Sequence, residues 1–242
     1  METSEIIIYA FPFAAGSQYS YNDFAKNTPE GITWKSMDYA GRGKRIFEKP
    51  IVNIHDIVED FIEKLIDKLE KPYAFYGHSM GSLVAYLLTV EIQKRNLPMP
   101  QHLFLSGRGG ACIPEKFRDA ENITQEEIIS EILVMDGKIE HLLNNPKLLN
   151  AYEKVLRADL QALESYNYQL GAKTKLPVEA TVLIGSHDIY TPEQALLWQN
   201  EFMNPIDFHV LEGGHFFLFE HYQTIIEIVT KNIERDVLII RQ

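Results

Sequence analysis

Cysteine is almost absent from this sequence. The single residue of this type, Cys112, cannot form a disulfide bond within the chain. A fold held together by disulfides is therefore excluded, and a reducing compartment, the cytoplasm, is the expected location. As a nucleophile, Cys112 is a weaker candidate than the serine described below.

Positive charge is also scarce. The chain has 23 Lys and Arg against 34 Asp and Glu, so its formal net charge is −11. Nucleic acids and anionic membranes are bound by basic surfaces, so neither is an expected partner. No apolar run approaches the roughly 20 residues that a membrane-spanning helix needs. The first five residues are acidic and polar, which is not the pattern of a signal peptide.

The residues that are present predict one α/β domain. At 242 residues, with 45% hydrophobic residues, the chain is long enough for a single domain with one substantial core. Strand-like and helix-like segments alternate without an internal repeat or a linker, and Asn53 is placed to cap one of the helices. Strands are predicted at residues 6–11, 33–37, 73–76, 102–106, 182–184 and 208–211. This alternation is typical of a mostly parallel sheet with helices on both faces.

The most informative motif is G-x-S-x-G at residues 77–81, between a predicted strand and a predicted helix. In this context the motif forms a sharp turn that lifts the serine hydroxyl above the sheet edge, while the glycines avoid collisions in the turn. The N-terminus of the following helix points at the hydroxyl. Ser79 is therefore the predicted nucleophile.

A serine hydroxyl needs a base to accept its proton and a carboxylate to orient that base. In the α/β-hydrolase fold both follow the serine along the chain, the carboxylate first. His215 follows a glycine pair after the last predicted strand, and Asp188 follows the strand before it. His187 shares the loop of Asp188, so it cannot easily face both the acid and the serine. The other histidines are interpreted as structural or solvent-exposed: His55, His78, His102, His141, His209 and His221.

Between about Cys112 and Thr174 the alternation of strands and helices stops. Thr124 and Glu127 form a capping box for one helix, and a second helix is predicted over residues 147–166. Apolar faces are predicted at Ile128, Ile132, Leu133, Leu148, Leu149 and Leu156. Two helices inserted before the strand of the acid predict a lid that shapes a substrate channel. Additional helical packing without a gating role is the alternative.

Several segments together resemble type II thioesterases, the stand-alone editing enzymes of non-ribosomal peptide and polyketide synthesis. The resemblance extends over nearly the whole chain. It rests on residues 11–16, 39–45, 106–108, 156–166 and 213–218. Two positions depart from the family pattern: Ala15 replaces a glycine and Ala40 a proline. The methyl group of Ala15 is expected beside the oxyanion hole, where it could narrow the space.

The resemblance implies hydrolysis of acyl thioesters on the phosphopantetheine arm of acyl- or peptidyl-carrier proteins. In that reaction Ser79, His215 and Asp188 would form the triad. The oxyanion would be met by the N–H of Met80 and by that of Phe13 or Ala14. No metal or diffusible cofactor is expected, and the chain is expected to be a monomer.

Three points stay open at this stage. Carrier domains of this class tend to be acidic, so docking must use local patches, and the candidates are Lys44, Arg45, Arg108, Lys116 and Arg118. A cytoplasmic carboxylesterase acting on small oxygen esters would use the same catalytic residues. A hydrolase fold that has lost its activity and only binds a ligand is a third alternative, although all three triad residues are present in order.

Overall fold

In the computed structural model, which describes residues 5–114, 119–134, 144–168 and 175–240, parallel strands form one six-stranded sheet. The strands are β1 (Ile6–Phe11), β2 (Ile32–Ser36), β3 (Tyr73–His78), β4 (His102–Ser106), β5 (Glu179–Gly185) and β6 (Asp207–Leu211). Their order is β2-β1-β3-β4-β5-β6, and every neighbouring pair is parallel. The predicted α/β-hydrolase fold is confirmed. The second strand lies one residue earlier than its pattern indicated.

Helices follow the strands as the sequence predicts. They are α1 (Asn22–Asn27), α2 (Ile54–Leu65), α3 (Met80–Lys94), α4 (Gln125–Val134), α5 (Pro146–Glu164), α6 (Pro192–Leu196), α7 (Phe217–Glu220) and α8 (Tyr222–Ile240). Short 3-10 turns occupy Gln18–Tyr21, Gly43–Arg45, Ile66–Lys68 and Leu197–Glu201. Asn53 caps α2 by accepting a hydrogen bond from the N–H of His55. The capping box of Thr124 and Glu127 before α4 is also present.

The two faces of the sheet bury different residues of each strand, because successive side chains of a strand point to opposite sides. In β1, Tyr9 and Phe11 join a large core with residues of α2 and α3. Ile8 and Ala10 point to the other side, into a smaller core that includes residues of α1 and α8. Both faces of the sheet are therefore covered, which explains why its strands are almost continuously apolar.

The inserted helices α4 and α5 pack on the larger core. Ile128, Leu149 and Leu156 are buried there, whereas Leu133 and Leu148 are largely exposed. Ile132, whose side chain lies outside the described residues, was expected on the same apolar face. The two-helix insertion between β4 and β5 is thus present, and a gating role for it stays a prediction.

Candidate active site

Ser79 lies between β3 and α3 with a backbone φ of 55° and ψ of −117°. A positive φ is unfavourable in free energy for a residue that has a side chain, so contacts with the surrounding structure must hold this conformation. A Cβ on Gly77 would lie 2.1 Å from the carbonyl oxygen of Gly81, and one on Gly81 would lie 2.0 Å from that of Phe11. Only glycine fits at these two places. The strand, turn and helix therefore form the strained elbow that the motif predicted.

The three predicted residues meet above the carboxyl ends of their strands. His215 lies in the loop after β6, and its Nε2 is 3.0 Å from Oγ of Ser79. Its Nδ1 is 2.8 Å from Oδ1 of Asp188, in the loop after β5. The side chains of His215 and Asp188 are buried, with relative exposures of 1% and 0%. The serine, imidazole and carboxylate form a continuous hydrogen-bonded chain.

The charges in the hydrogen-bonded arrangement of Ser79, His215 and Asp188 suit a histidine base that is oriented by an ionised carboxylate. Burial would raise the pKa of Asp188, but the hydrogen bond and charge of His215 outweigh that effect and lower the pKa below its usual value. An ionised Asp188 accepts a hydrogen bond from Nδ1–H of His215. This bond leaves Nε2 free to accept the hydroxyl proton of Ser79.

His78, next to the serine in sequence, is a buried neighbour of the base. Its ring centroid is 5.2 Å from that of His215, and its Nδ1 is 2.9 Å from Oγ of Ser106. Burial first, and then the charge of His215, lower the pKa of His78 to about 3. His78 is therefore neutral at neutral pH, and a second positive charge does not compete with the imidazolium that would form at His215.

The other histidines that the structure describes have partners outside the triad. His187 is exposed and pairs with Oγ of Ser186, and Nε2 of His221 is 2.8 Å from the carbonyl oxygen of Glu212. His55 is exposed and His209 is paired with Asp207. His102 is buried between Asp236 and Thr181. His141 lies outside the described residues.

Two of the amides around the expected oxyanion position are already engaged. In the loop after β1, the N–H of Ala15 donates to Oδ2 of Asp159 at 2.6 Å, and that of Gly16 donates to the carbonyl oxygen of Phe13. Met80 is the first residue of α3, so its N–H has no acceptor within the helix. Phe13, Ala14 and Met80 therefore remain as candidate donors. The expectation that the methyl group of Ala15 narrows the oxyanion hole stays a prediction. The backbone of Ala15 is notable for a different reason, since its amide faces Asp159 and its φ is 59°.

Asp159 is a residue whose role the sequence did not indicate. It lies on α5, is 1% exposed, and forms a two-pronged ion pair with Arg42. It also accepts the bond from Ala15. This buried cluster joins the inserted helix α5 to the loop that carries Phe13 and Ala14.

The basic residues proposed for docking lie in different surroundings. Arg45 is bound to Glu48 and Asp60, and Arg108 is buried. Lys44 is exposed, next to the exposed side chains of Ile46 and Phe47. Lys116 and Arg118 lie outside the described residues.

Among the described residues, no three or more His, Cys, Asp or Glu side chains form a cluster that could hold a metal ion. Within the same part of the chain, none of the helices combines the length and apolar character needed to span a membrane.

Comparison with known proteins identifies related chains along almost the whole sequence. A family model described as a thioesterase domain matches residues 6–233. The gramicidin S biosynthesis protein GrsT of Aneurinibacillus migulanus is 29% identical over 231 residues, 95% of this chain and 90% of that protein. The medium-chain S-acyl fatty acid synthase thioesterase of Homo sapiens is 27% identical over 221 residues, 88% of this chain and 81% of that protein.

Solved structures agree with the fold. The type II thioesterase BorB from the borrelidin biosynthetic cluster superimposes with a TM-score of 0.84 at 26% sequence identity, covering 95% of this chain and 93% of that chain. The thioesterase RedJ from the prodiginine pathway of Streptomyces coelicolor gives a TM-score of 0.87 at 25% identity, covering 94% and 90%.

Proposed function

This chain belongs to the thioesterase family, and on that premise we propose that Ser79, His215 and Asp188 form its catalytic triad. The observation that carries this proposal is the continuous hydrogen-bonded chain from Oγ of Ser79 through His215 to Asp188, with distances of 3.0 and 2.8 Å. It starts at a serine on a strained elbow and ends at a buried carboxylate. This is the arrangement that activates a hydroxyl for acyl transfer.

The first half-reaction forms an acyl-enzyme. Oγ of Ser79 attacks the thioester carbonyl carbon while Nε2 of His215 takes the hydroxyl proton. Asp188 stabilises the resulting imidazolium. The carbonyl oxygen becomes an oxyanion, which accepts hydrogen bonds from the N–H of Met80 and from that of Phe13 or Ala14. Each such donor contributes about 3–4 kcal/mol to transition-state stabilisation. Collapse of the tetrahedral intermediate breaks the C–S bond, and the leaving thiolate takes the proton from His215.

The second half-reaction regenerates the enzyme. Water enters where the thiol left and gives a proton to Nε2 of His215 as its oxygen attacks the acyl carbon. The second tetrahedral intermediate uses the same amide donors. Its collapse releases the carboxylic acid, and the proton returns from His215 to Oγ of Ser79. Because burial lowers the pKa of His78, this ring beside the base stays neutral and adds no positive charge next to His215 in either step.

The substrate proposed for this site is an acyl group on the phosphopantetheine arm of a carrier protein in a non-ribosomal peptide or polyketide synthase. The resemblance to type II thioesterases, first indicated by the motifs, supports this class of substrate. Release of a stalled acyl group would restore a blocked carrier. The related fatty acid synthase thioesterases also carry S-acyl substrates in their names. BorB and these fatty acid synthase enzymes are thus both named as thioesterases.

A carrier protein would need a surface to dock on. The loop after β2 presents Ile46 and Phe47, with exposed fractions of 55% and 100%, between Lys44 and Lys49, which are both exposed. Arg45 fixes this loop through its ion pairs with Asp60 and Glu48. An apolar tip flanked by two lysines is complementary to an acidic carrier surface, on a protein that is otherwise negatively charged.

A substrate comparison tests the proposal. The same acyl group is supplied as an acyl-carrier protein, as an acyl-pantetheine and as a p-nitrophenyl ester, and kcat/KM is measured for each. We expect the carrier-bound thioester to be hydrolysed at least about tenfold more efficiently than the aryl ester, since docking adds binding energy. Efficient hydrolysis of the aryl ester with no preference for either thioester would favour the carboxylesterase alternative. A fluorophosphonate that failed to label Ser79 would favour the inactive hydrolase fold.

A further inference from the structure

The buried cluster around Asp159 connects three segments that are distant in sequence. Asp159 lies on the inserted helix α5, Arg42 on the loop after β2 and Ala15 on the loop after β1. Oδ2 of Asp159 is 2.6 Å from Nη1 of Arg42 and 2.6 Å from the amide nitrogen of Ala15, and Oδ1 pairs with Nη2 of Arg42. Nη1 of Arg42 also donates to the carbonyl oxygen of Gly16 at 3.3 Å.

These contacts hold the β1 loop from two directions. The carboxylate of Asp159 accepts a hydrogen bond from the N–H of Ala15, and the guanidinium of Arg42 donates one to the carbonyl oxygen of Gly16. Ala15 has a φ of 59°, a conformation that residues with a side chain rarely adopt. A strained residue persists when its surroundings fix it. Phe13 and Ala14, the candidate oxyanion donors, directly precede this fixed position.

We propose that Asp159 and Arg42 are positioning residues for thioester hydrolysis: they hold the β1 loop so that the N–H of Phe13 or Ala14 meets the oxyanion. This inference rests on the proposed function of Ser79. Neither side chain touches the reacting atoms, and both act through the backbone of the loop. A displacement of about 1 Å in such a donor can reduce the rate about 100-fold.

Stability alone does not account well for this pair. Arg42 is 5% exposed and Asp159 is 1% exposed, so both charges have lost most of their water. Buried ion pairs of this kind are often no more stabilising than well-packed apolar side chains. Their geometry is more demanding, however, because a bidentate pair fixes both orientation and distance. The third hydrogen bond, from the N–H of Ala15 to Asp159, fixes the position of the loop relative to this pair.

The cluster also links the insertion to the chemistry. The C-terminal half of α5 is fixed on the core by Asp159 and by the buried residues Leu156, Leu160 and Leu163. Any motion of the lid that reaches Asp159 would therefore move the oxyanion loop as well.

Asp159→Asn and Arg42→Lys test the proposal with an acyl-pantetheine thioester, which needs no docking surface. The amount of folded enzyme is normalised by the endpoint of fluorophosphonate labelling at Ser79. We expect kcat to fall about 10- to 100-fold in each variant while KM changes less than about threefold, because the interaction is lost mainly in the transition state. The affinity for a trifluoromethyl ketone analogue, which forms an oxyanion on Ser79, should fall by the same factor as kcat/KM.

Arg157→Lys is the matched control. Arg157 lies on the same helix, pairs with Glu153 at 2.7 Å and bonds the carbonyl of Ile123, but does not contact the β1 loop. Its kcat and analogue affinity should stay within about threefold of wild type. A purely structural role would lower the labelled fraction and leave kcat per labelled site unchanged, which would overturn the proposal.

A rise in KM at constant kcat would equally overturn the proposal, since it would assign the pair to ground-state binding. If Asp159→Asn does not fold, Arg42→Lys decides the question on its own, because it keeps the charge and alters only the geometry. Failure of the proposed function is distinguishable: wild-type enzyme would then not hydrolyse the thioester.

Discussion

Two places in the described part of this protein contain a hydroxyl, an imidazole and a carboxylate in a row. At the candidate active site, Nε2 of His215 is 3.0 Å from Ser79 and Nδ1 is 2.8 Å from Asp188. In a second cluster, Nε2 of His102 is 2.8 Å from Oγ1 of Thr181 and Nδ1 is 2.6 Å from Asp236. The hydrogen-bond distances alone do not distinguish a candidate triad from this second arrangement.

The surroundings distinguish them. Thr181 is fully buried in the middle of β5, paired with Phe104 on one side and Asp207 on the other. Ser79 is half-buried on a turn with a φ of 55°, where β3 gives way to α3. Amides in the ladder of a sheet are used by neighbouring strands, whereas the first amides of a helix are free to bind an oxyanion. The Thr181 cluster joins α8 to the sheet, and all three of its side chains are buried.

The comparison shows which features make such a hydrogen-bonded chain suitable for catalysis. At Ser79 a strained backbone carries a half-buried hydroxyl next to the candidate oxyanion donors, and the acid and base are buried. In the second cluster the same three groups satisfy each other's hydrogen bonds under a helix. There they contribute to stability.

The largest effect is expected at the nucleophile. Ser79→Ala should lower kcat for thioester hydrolysis by about 10⁶-fold, with the residual rate coming from binding and the oxyanion donors. The free energy of unfolding should change by less than about 1 kcal/mol, because only a half-buried hydroxyl is removed. Thioester hydrolysis and urea denaturation measure the two quantities.

Thr181→Val is the control for Ser79→Ala. It leaves Nε2 of His102 buried without a partner and should destabilise the protein by about 1–3 kcal/mol, with kcat per folded enzyme unchanged. A Ser79→Ala enzyme that kept more than about a tenth of wild-type turnover would refute the assignment of the nucleophile.

The two acids give the next largest contrast. Asp188→Asn should reduce kcat about 10⁴-fold, since an asparagine favours the wrong tautomer of His215. Asp236→Asn should instead lower the free energy of unfolding by about 1–3 kcal/mol and spare kcat. Equal loss of activity in the two variants would mean that the clusters are coupled.

His187→Ala is a useful companion of Asp188→Asn, because the exposed His187 sits beside the acid without contacting His215. We expect His187→Ala and His221→Ala to stay within about threefold of wild-type kcat, because their side chains bond Ser186 and the carbonyl of Glu212 rather than a triad residue. Damage from His187→Ala as severe as that from His215→Ala would reassign the base.

The parts of the site that the sequence predicted are those with a local signature. The elbow around Ser79 has fixed glycines, and Asp188 and His215 each follow a predicted strand. Chain order and strand ends sufficed to bring them together, since parallel strands place their carboxyl ends at one edge. The boundaries of β1 and β4 also matched the apolar runs of the sequence, because such a run is a local signature of a buried strand.

The parts that the sequence did not predict depend on contacts between distant segments. Asp159 meets Arg42 across 117 residues and Ala15 across 144. His102 meets Asp236 across 134 residues. No spacing rule relates such positions, because they are brought together only when α5 and α8 pack. The resemblance included the segments of Arg42 and Asp159 but assigned no role to either.

A smaller effect concerns pH and the buried His78. The pKa of His78 is about 3 in the folded protein, against an ordinary value of 6.5, so between these values only the unfolded chain binds the proton. Protonation of the unfolded chain at His78 therefore costs almost no stability above pH 6.5. The cost increases as pH falls from 6.5 towards 3. From pH 7 to pH 5, His78 should cost about 2 kcal/mol of stability.

His78→Asn keeps a side-chain group at the position of Nδ1, near Ser106, but does not titrate. In urea denaturation between pH 5 and 7, the stability of this variant should depend less on pH than that of wild type. Below pH 6 the slopes of stability against pH should differ by about 1.4 kcal/mol per pH unit. The same slope in both proteins would mean that His78 can take up a proton in the folded state. Its ring should then be reachable by solvent.

The smallest effect is expected in the loop after β1, which carries the candidate oxyanion donors Phe13 and Ala14 and has no counterpart in the Thr181 cluster. Ala15 has a φ of 59°. Replacement by glycine relieves that strain but increases the freedom of the unfolded chain, and the strain term is the larger. Ala15→Gly should therefore raise the free energy of unfolding by about 0.5–1 kcal/mol in urea denaturation. Ala151→Gly, at an exposed position of the helix α5, should lower it by about the same amount. A loss of stability in both variants would mean that Ala15 is unstrained, and that Asp159 holds a loop already at its preferred geometry.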